Sequence, residues 1–171
     1  MDFYLQRLAD ELHSAITGMS SVARLDHPEG KWCTAEILEH LYLTYTGTAK
    51  GFEKCLAAGK PLATSPTMKQ RVAGLVVLKL GKLPGRREAP TNTRPRGLDA
   101  ETVATDILPR ISAMDAAIGR CEQAYGSGKL LDHPILGPLT GREWRKFHLV
   151  HGQHHIKQIM ALRKSPVRSG A

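Results

Sequence analysis

The chain has 171 residues, of which 42% are hydrophobic and 5% aromatic, and its formal net charge is +8. This length fits one domain, residues 1–171, that can bury a core without disulfides. No apolar run approaches the ~20 residues that a membrane crossing needs, and the N-terminal segment is too charged for a signal peptide. Three widely spaced cysteines without a CxxC motif indicate neither a zinc ribbon nor a disulfide framework. We therefore expect a cytoplasmic protein.

Apolar residues recur at helical spacing in four long segments. The composition and this periodicity favour a helical protein, and no segment shows a convincing strand pattern. The predicted core helices cover about 2–21, 34–58, 100–124 and 141–163.

Capping residues support three of the four helix starts. Thr34 is the expected N-cap of the second helix, and Asp99 or Thr102 that of the third. Thr140 is followed three residues later by Glu143, which is the pattern of a capping box at the start of the last helix.

The connection between the second and third long helices is itself partly helical. It contains an apolar segment at 68–80, followed by residues 79–97, which are rich in Lys and Arg and carry three prolines. These features predict a loop that lies over the helices. The expected fold is an all-α four-helix bundle with one long, partly helical crossover between helices 2 and 3.

The basic loop 79–97 raises the possibility of a nucleic-acid partner. No nucleic-acid motif accompanies it, and it has no aromatic residue to stack on bases. Nucleic-acid binding is therefore the least favoured function. The positive charge can serve solubility alone, or it can help to hold an anionic cofactor or substrate.

The last predicted helix is dense in histidine. Its stretch "FHLVHGQHH" holds four of the eight histidines: His148, His151, His154 and His155. At about 100° per residue, His151 and His155 project with Trp144 to the middle of the inward stripe, and the other two lie at its edges. An HxxxH pair places two imidazoles one turn apart, close enough to share one metal ion.

The second helix offers a third ligand, His40. On the helical projection it is followed along one face by Thr44, Gly47 and Gly51. Glycine inside a helix costs roughly 1 kcal/mol relative to alanine, so these positions indicate either a cavity beside His40 or close packing of two helices. Three histidines leave open positions on an ion, as in catalytic sites. Imidazole ligands suit several divalent ions, and Zn or Ni is expected.

The remaining histidines are expected outside the metal site. His13 and His27 are assigned to the surface or to turns, and His133 to holding the loop before the last helix. His148 and His154 are either supporting groups of the site or helix-edge residues, and the second interpretation is preferred.

Two stretches, "KWCTAEILEHLYLTY" and "HPILGPLTGREWRKFHLVHGQHHIKQI", resemble the DinB/YfiT-like family of metal-binding four-helix bundles, and in particular a branch of unknown function. The resemblance implies that His40, His151 and His155 bind one divalent ion. It also implies an up-up-down-down bundle and frequent dimers. Characterised members include thiol-dependent enzymes, in which the metal holds the thiolate of a low-molecular-weight thiol.

The leading hypothesis is a metalloenzyme acting on a small-molecule substrate, such as a thiol-dependent transferase or a hydrolase. Its ion would lower the pKa of a bound water or thiol. Glu36, one turn before His40, is the nearest candidate base, although a solvated helix-start glutamate is the preferred interpretation. The alternative is a non-catalytic bundle with a structural metal.

A homodimer is expected from a second stripe of the last helix. Three large apolar residues project away from His151, with Arg145 and Lys157 beside them: Leu149, Ile156 and Met160. Apolar stripes with charged rims often mark interfaces. The competing explanation is that segment 68–80 covers this face within one chain.

Overall fold

The computed structural model of the chain describes residues 1–81, 83 and 88–164. It is mostly helical, as the sequence predicts, and one small β-hairpin interrupts the helices. The helices are α1 (Phe3–Ile16), α2 (Ser21–Leu25), α3 (Thr34–Ala57), α4 (Met68–Gly74), α5 (Ala100–Tyr125) and α6 (Gly141–Lys164). A π-helical turn (Leu75–Lys79) continues α4, and a 3₁₀ turn (Thr91–Thr93) precedes α5; the strands are β1 (Lys129–His133) and β2 (Gly137–Thr140).

The predicted starts of α5 and α6 are confirmed. At α5, the Asp99 side chain accepts a hydrogen bond from the backbone N–H of Thr102 at 2.8 Å. At α6, Thr140 Oγ1 accepts from the N–H of Glu143 at 3.1 Å, and Glu143 Oε2 accepts from the N–H of Thr140 at 2.8 Å. The reciprocal bonds satisfy N–H groups that the first helical turn leaves free.

The second long helix starts one position earlier than its predicted cap. Cys33, and not Thr34, is the N-cap of α3, and Glu36 Oε2 accepts from its backbone N–H at 2.9 Å. Thr34 is 1% exposed and is the first helical residue. The capping pattern was hidden because cysteine is an unusual cap, so the sequence shows no Ser, Thr, Asp or Asn three residues before Glu36.

The first helix is shorter than predicted. The expected helix at 2–21 ends at Ile16, because Thr17 and Gly18 form a tight turn, Thr17 with ψ 130° and Gly18 with φ +73°. The chain then restarts as α2, where Ser20 Oγ accepts from the N–H of Ala23 at 3.2 Å.

The hairpin between α5 and α6 was not predicted. Strands β1 and β2 pair antiparallel, with Leu131 opposite Leu139 and His133 opposite Gly137. Gly137 has φ +73°, which favours glycine at the start of the returning strand. Two short strands with a proline between them carry too little alternation to be recognised in the sequence, and their packing against the helices stabilises the pair.

The core lies between two helix pairs that make the most extensive contacts, α3 with α5 and α1 with α6. Its largest fully buried side chains come from α1, α3, α5 and β1: Leu5, Leu8, Leu12, Leu38, Leu41, Tyr45, Phe52, Ile107, Ile111, Met114, Ile118 and Leu130. Within the described ranges, no helix has the length and hydrophobicity that would let it cross a membrane.

The apolar stripe assigned to a dimer interface does not lie wholly on the outside of α6. Leu149 is 6% exposed and packs in the core, and Ile156 is half-buried against it, whereas Met160 is exposed. Arg145 is no rim charge, because it is buried and forms ion pairs with two acids of α5: Asp115 at 2.7 Å and Glu122 at 2.6 Å. The helical projection misplaced this face because it cannot show the neighbouring elements: α5 pairs with Arg145, and α1 and the π-helical turn also pack against α6. The homodimer itself stays a prediction.

Candidate metal centre

Three histidine rings from two helices converge at one point. His40 comes from the first third of α3, and His151 and His155 come from successive turns of α6. Their Nε2 atoms face each other: His151 Nε2 lies 3.3 Å from His40 Nε2 and 3.2 Å from His155 Nε2. In a tetrahedral zinc site with Zn–N bonds of about 2.05 Å, neighbouring nitrogens are roughly 3.3 Å apart. Two of the three nitrogen pairs thus have the spacing that one ion requires, and all three ligand atoms lie within 4.8 Å of one another.

The outer nitrogens of two of the rings are held by oxygen acceptors. His40 Nδ1 lies 2.8 Å from the carbonyl oxygen of Thr93, and His155 Nδ1 lies 2.7 Å from Oε1 of Gln158. A carbonyl oxygen can only accept, so each Nδ1 carries the proton and donates it. Each Nε2 therefore presents its lone pair to the centre, which is the arrangement that metal-binding histidines show.

Burial keeps these imidazoles neutral. Burial lowers the pKa of His40. Burial and the neighbouring histidines together lower the pKa of His155 to about 4 and hold the pKa of His151 well below its ordinary value. Neutral imidazole is the form that ligates a metal. Among the described residues, Nδ1 of His151 has no hydrogen-bond partner. The set of three histidines fits a site that could hold a metal ion.

The centre opens into a cavity of about 620 Å³. The side chains around it are largely apolar and aromatic, and they include Trp32, Leu131, Ile135, Trp144 and Phe147. Two carboxylate residues, Glu88 and Asp132, also line it. The volume is in the range of small-molecule sites.

Gly47 and Gly51, the two glycines on the His40 face of α3, lack a side chain for different structural reasons. Both line the cavity. A Cβ at Gly47 would meet nothing within 4 Å, whereas one at Gly51 would lie 2.7 Å from Cδ2 of Leu131. The cavity interpretation therefore holds for Gly47, and the close-packing interpretation holds for Gly51, which packs against the hairpin rather than against another helix.

The crossover reaches the centre through residues that the sequence analysis did not select. Glu39 is 3% exposed, and its carboxylate accepts from three consecutive backbone N–H groups, those of residues 96–98, at 2.8–3.2 Å. This anchor brings the preceding turn, with the Thr93 carbonyl, over His40. In the sequence, Glu39 could have been noticed as an acid directly before the ligand His40. Gln158 could have been noticed because it follows His155 by three residues and so lies beside it on the helix. Nothing in the sequence marks Thr93.

The described part of the basic loop 79–97 does lie over the helices, as predicted. Its 3₁₀ turn contacts α3, and Glu88, Ala89, Pro90 and Asn92 line the cavity. Of the six basic residues of this loop, Lys82, Arg86 and Arg87 lie outside the described residues, and Lys79 ends the π-helical turn.

The other histidines follow the predictions with one exception. His133 holds its loop, because its Nδ1 accepts from the backbone N–H groups of Ile135 and Leu136, each at 3.1 Å. His13, His27 and His154 are exposed. His148 is not a helix-edge residue, since it is completely buried.

The buried His148 ring packs between α3 and its own helix. Its centroid lies 5.5 Å from that of Tyr45 and 5.7 Å from that of Trp144, and neither ring nitrogen has a partner within the described chain. Burial, and to a smaller extent the neighbouring His133, lower the pKa of His148 to about 3. The projection gave only its angle on α6 and could not show that Tyr45 covers that edge.

Glu36, the candidate base, does not line the cavity. Its carboxylate caps α3 at Cys33, and its Oε2 lies 3.1 Å from Nε2 of His27. The helix-start interpretation of Glu36 is therefore the better one.

Comparison with known families gives one match. A family model described as "Protein of unknown function (DUF1569)" matches residues 8–161. This range covers α3, the crossover, the hairpin and most of α6, and with them all three converging histidines. No curated protein and no solved structure matches the chain.

Proposed function

The chain belongs to the DUF1569 family, and we propose that it is a divalent-metal-dependent enzyme whose ion is held by His40, His151 and His155. The observation that carries this proposal is the convergence of three imidazole nitrogens on the wall of a 620 Å³ cavity. Three protein ligands leave a coordination position for water or substrate. Zn or Ni are the ions proposed, because neutral imidazoles suit both.

The bound ion would supply Lewis acidity, lowering the pKa of a water or thiol at its open position. The chain's own residues would orient the ligand rings and form the walls of the substrate cavity. Thr93 and Gln158 orient two of the ligands. Trp32 and Phe147 form apolar walls that exclude water from a small organic substrate.

The finer assignment is to the DinB/YfiT-like bundles, with an up-up-down-down arrangement and a thiol-dependent transferase or hydrolase activity. Two features support it. The ligands lie on the second and last long helices, the positions that the resemblance implies, and the cavity has room for a thiol beside the ion. A cytoplasmic location and a homodimer are part of the same proposal.

A second candidate is a non-catalytic metal clamp. It is favoured by the way the ligands join separate parts of the fold: α3, α6 and, through the Thr93 carbonyl, the crossover. The two candidates differ at the open position. Azide added to the Co²⁺-loaded protein should shift the visible absorption bands if that position accepts ligands, and should leave them unchanged if the ion is a closed clamp.

Metal analysis tests the proposal directly. His151→Ala should lose one equivalent of bound metal relative to the wild type, while the far-ultraviolet circular dichroism stays the same. His13→Ala is the matched control, because His13 is an exposed histidine of α1, and it should keep the wild-type metal content. Equal metal content in all three proteins would refute the three-histidine centre. A screen of thiol conjugation with several electrophiles would then address the reaction.

A further inference from the structure

A second group of metal-ligating side chains lies at the start of α3, apart from the three converging histidines. It consists of His27, Cys33 and Glu36, and one ligand atom from each lies within 4.8 Å of the other two. His27 Nε2 and Glu36 Oε2 lie 3.1 Å apart. Cys33 and Glu36 are three residues apart, so they share one face of the first helical turn, and His27 reaches them from the preceding loop.

We propose that His27, Cys33 and Glu36 form a second site for a thiophilic divalent cation such as Zn²⁺. Thiolate sulfur, imidazole nitrogen and carboxylate oxygen are the three ligand types that zinc uses in proteins. On binding, the Cys33 S–H bond breaks, the proton leaves to solvent, and the sulfur's electron pair forms the bond to the ion. No change of oxidation state is involved.

The surroundings of the three groups fit this role. Cys33 is 2% exposed, and burial raises the pKa of its thiol, so without an ion the sulfur stays protonated. The side chains of His27 and Glu36 are 58% and 31% exposed, which leaves an approach from solvent. The Glu36 carboxylate already faces the imidazole and brings the negative charge that a cation needs.

This second site would act on the cavity through Trp32. That residue directly precedes Cys33, its ring centroid lies 5.3 Å from the ring of His40, and it lines the cavity. An ion held by His27, Cys33 and Glu36 ties the loop before α3 to the helix. Loading this site should therefore fix the Trp32 wall, whether or not the three-histidine centre is catalytic.

Cobalt titration of the metal-free protein tests the proposal, because Co²⁺ bound to a thiolate gives a near-ultraviolet charge-transfer band that histidine ligands do not give. The wild type should develop this band and Cys33→Ser should not. Cys55→Ser is the matched control, since Cys55 lies in the core away from the cluster, and it should keep the band. His27→Gln alters an exposed side chain and should leave the protein folded. The Co²⁺ affinity, measured from the charge-transfer band, should fall at least tenfold in this variant.

His151→Ala separates the two sites. It should retain the charge-transfer band even if it abolishes binding at the three-histidine centre, so either site can fail alone. A wild type with no band at saturating Co²⁺ would overturn the second site, and so would a band that persists in Cys33→Ser or an unchanged affinity in His27→Gln.

Discussion

Replacing Trp144 by alanine should destabilise the protein by about 4 kcal/mol. Trp144 is 4% exposed, its ring centroid lies 6.0 Å from those of both Phe52 and Phe147, and its Nε1 donates to the Leu131 carbonyl at 3.1 Å. Removing a buried tryptophan costs roughly 3–5 kcal/mol, and the lost hydrogen bond adds about 1 kcal/mol. The side chain borders the cavity, so one of its faces already lacks packing, which reduces the total.

Urea unfolding followed by circular dichroism, in the presence of a chelator, measures this loss without a contribution from bound metal. With a slope of about 2 kcal/mol per molar urea, the midpoint should fall by about 2 M. Trp144→Phe keeps an apolar ring and should lose only about 1–2 kcal/mol. Trp32→Ala is the matched control because Trp32 is half-buried, and it should lose less than Trp144→Ala. Equal midpoints for Trp144→Ala and the wild type would show that this side of α6 does not hold the fold together.

Three further predictions concern single positions, and a fourth concerns the oligomeric state. Gly47→Ala should raise the free energy of unfolding by up to about 1 kcal/mol, because its Cβ meets open space. Gly51→Ala should gain less or lose stability, because its Cβ would press on the hairpin. Thermal melts of the two variants compare these effects. Glu39→Ala should cost about 2–3 kcal/mol and weaken metal binding at His40, because three backbone N–H groups of the crossover lose a charged acceptor; a metal affinity equal to that of the wild type would contradict this. His148 has a native pKa of about 3 and an unfolded pKa near 6.5, so only the unfolded state binds its proton between these values. The free energy of unfolding therefore carries no penalty from His148 above pH 6.5 and falls by about 1.4 kcal/mol per pH unit on acidification below it. In urea unfolding at pH 7 and pH 5, His148→Phe should lose this part of the pH dependence. A pH dependence equal to that of the wild type would contradict this prediction. Light scattering at tens of micromolar should show a dimer, and a clean monomer would defeat that expectation.

The sequence alone determined the long helices and the three histidines that converge. Helix α6 is marked by its capping box, and its 3.6-residue period fixes which histidines share a face, so His151 and His155 could be paired from spacing. His40 could be added because it lies on an apolar helix with Gly47 beside it. These are local properties, set by residues within a few turns of each other.

The tertiary structure decided what surrounds those histidines. Thr93 is 53 residues from His40 and orients its ring, and this contact depends on where Glu39 anchors the crossover. The same limit explains the dimer stripe and His148. A helical projection gives the direction of a side chain but not the neighbouring element that covers it, and here α5 covers Arg145 while Tyr45 of α3 packs on His148. The hairpin, too, is stabilised by packing rather than by its own short strands, so only the folded chain shows it.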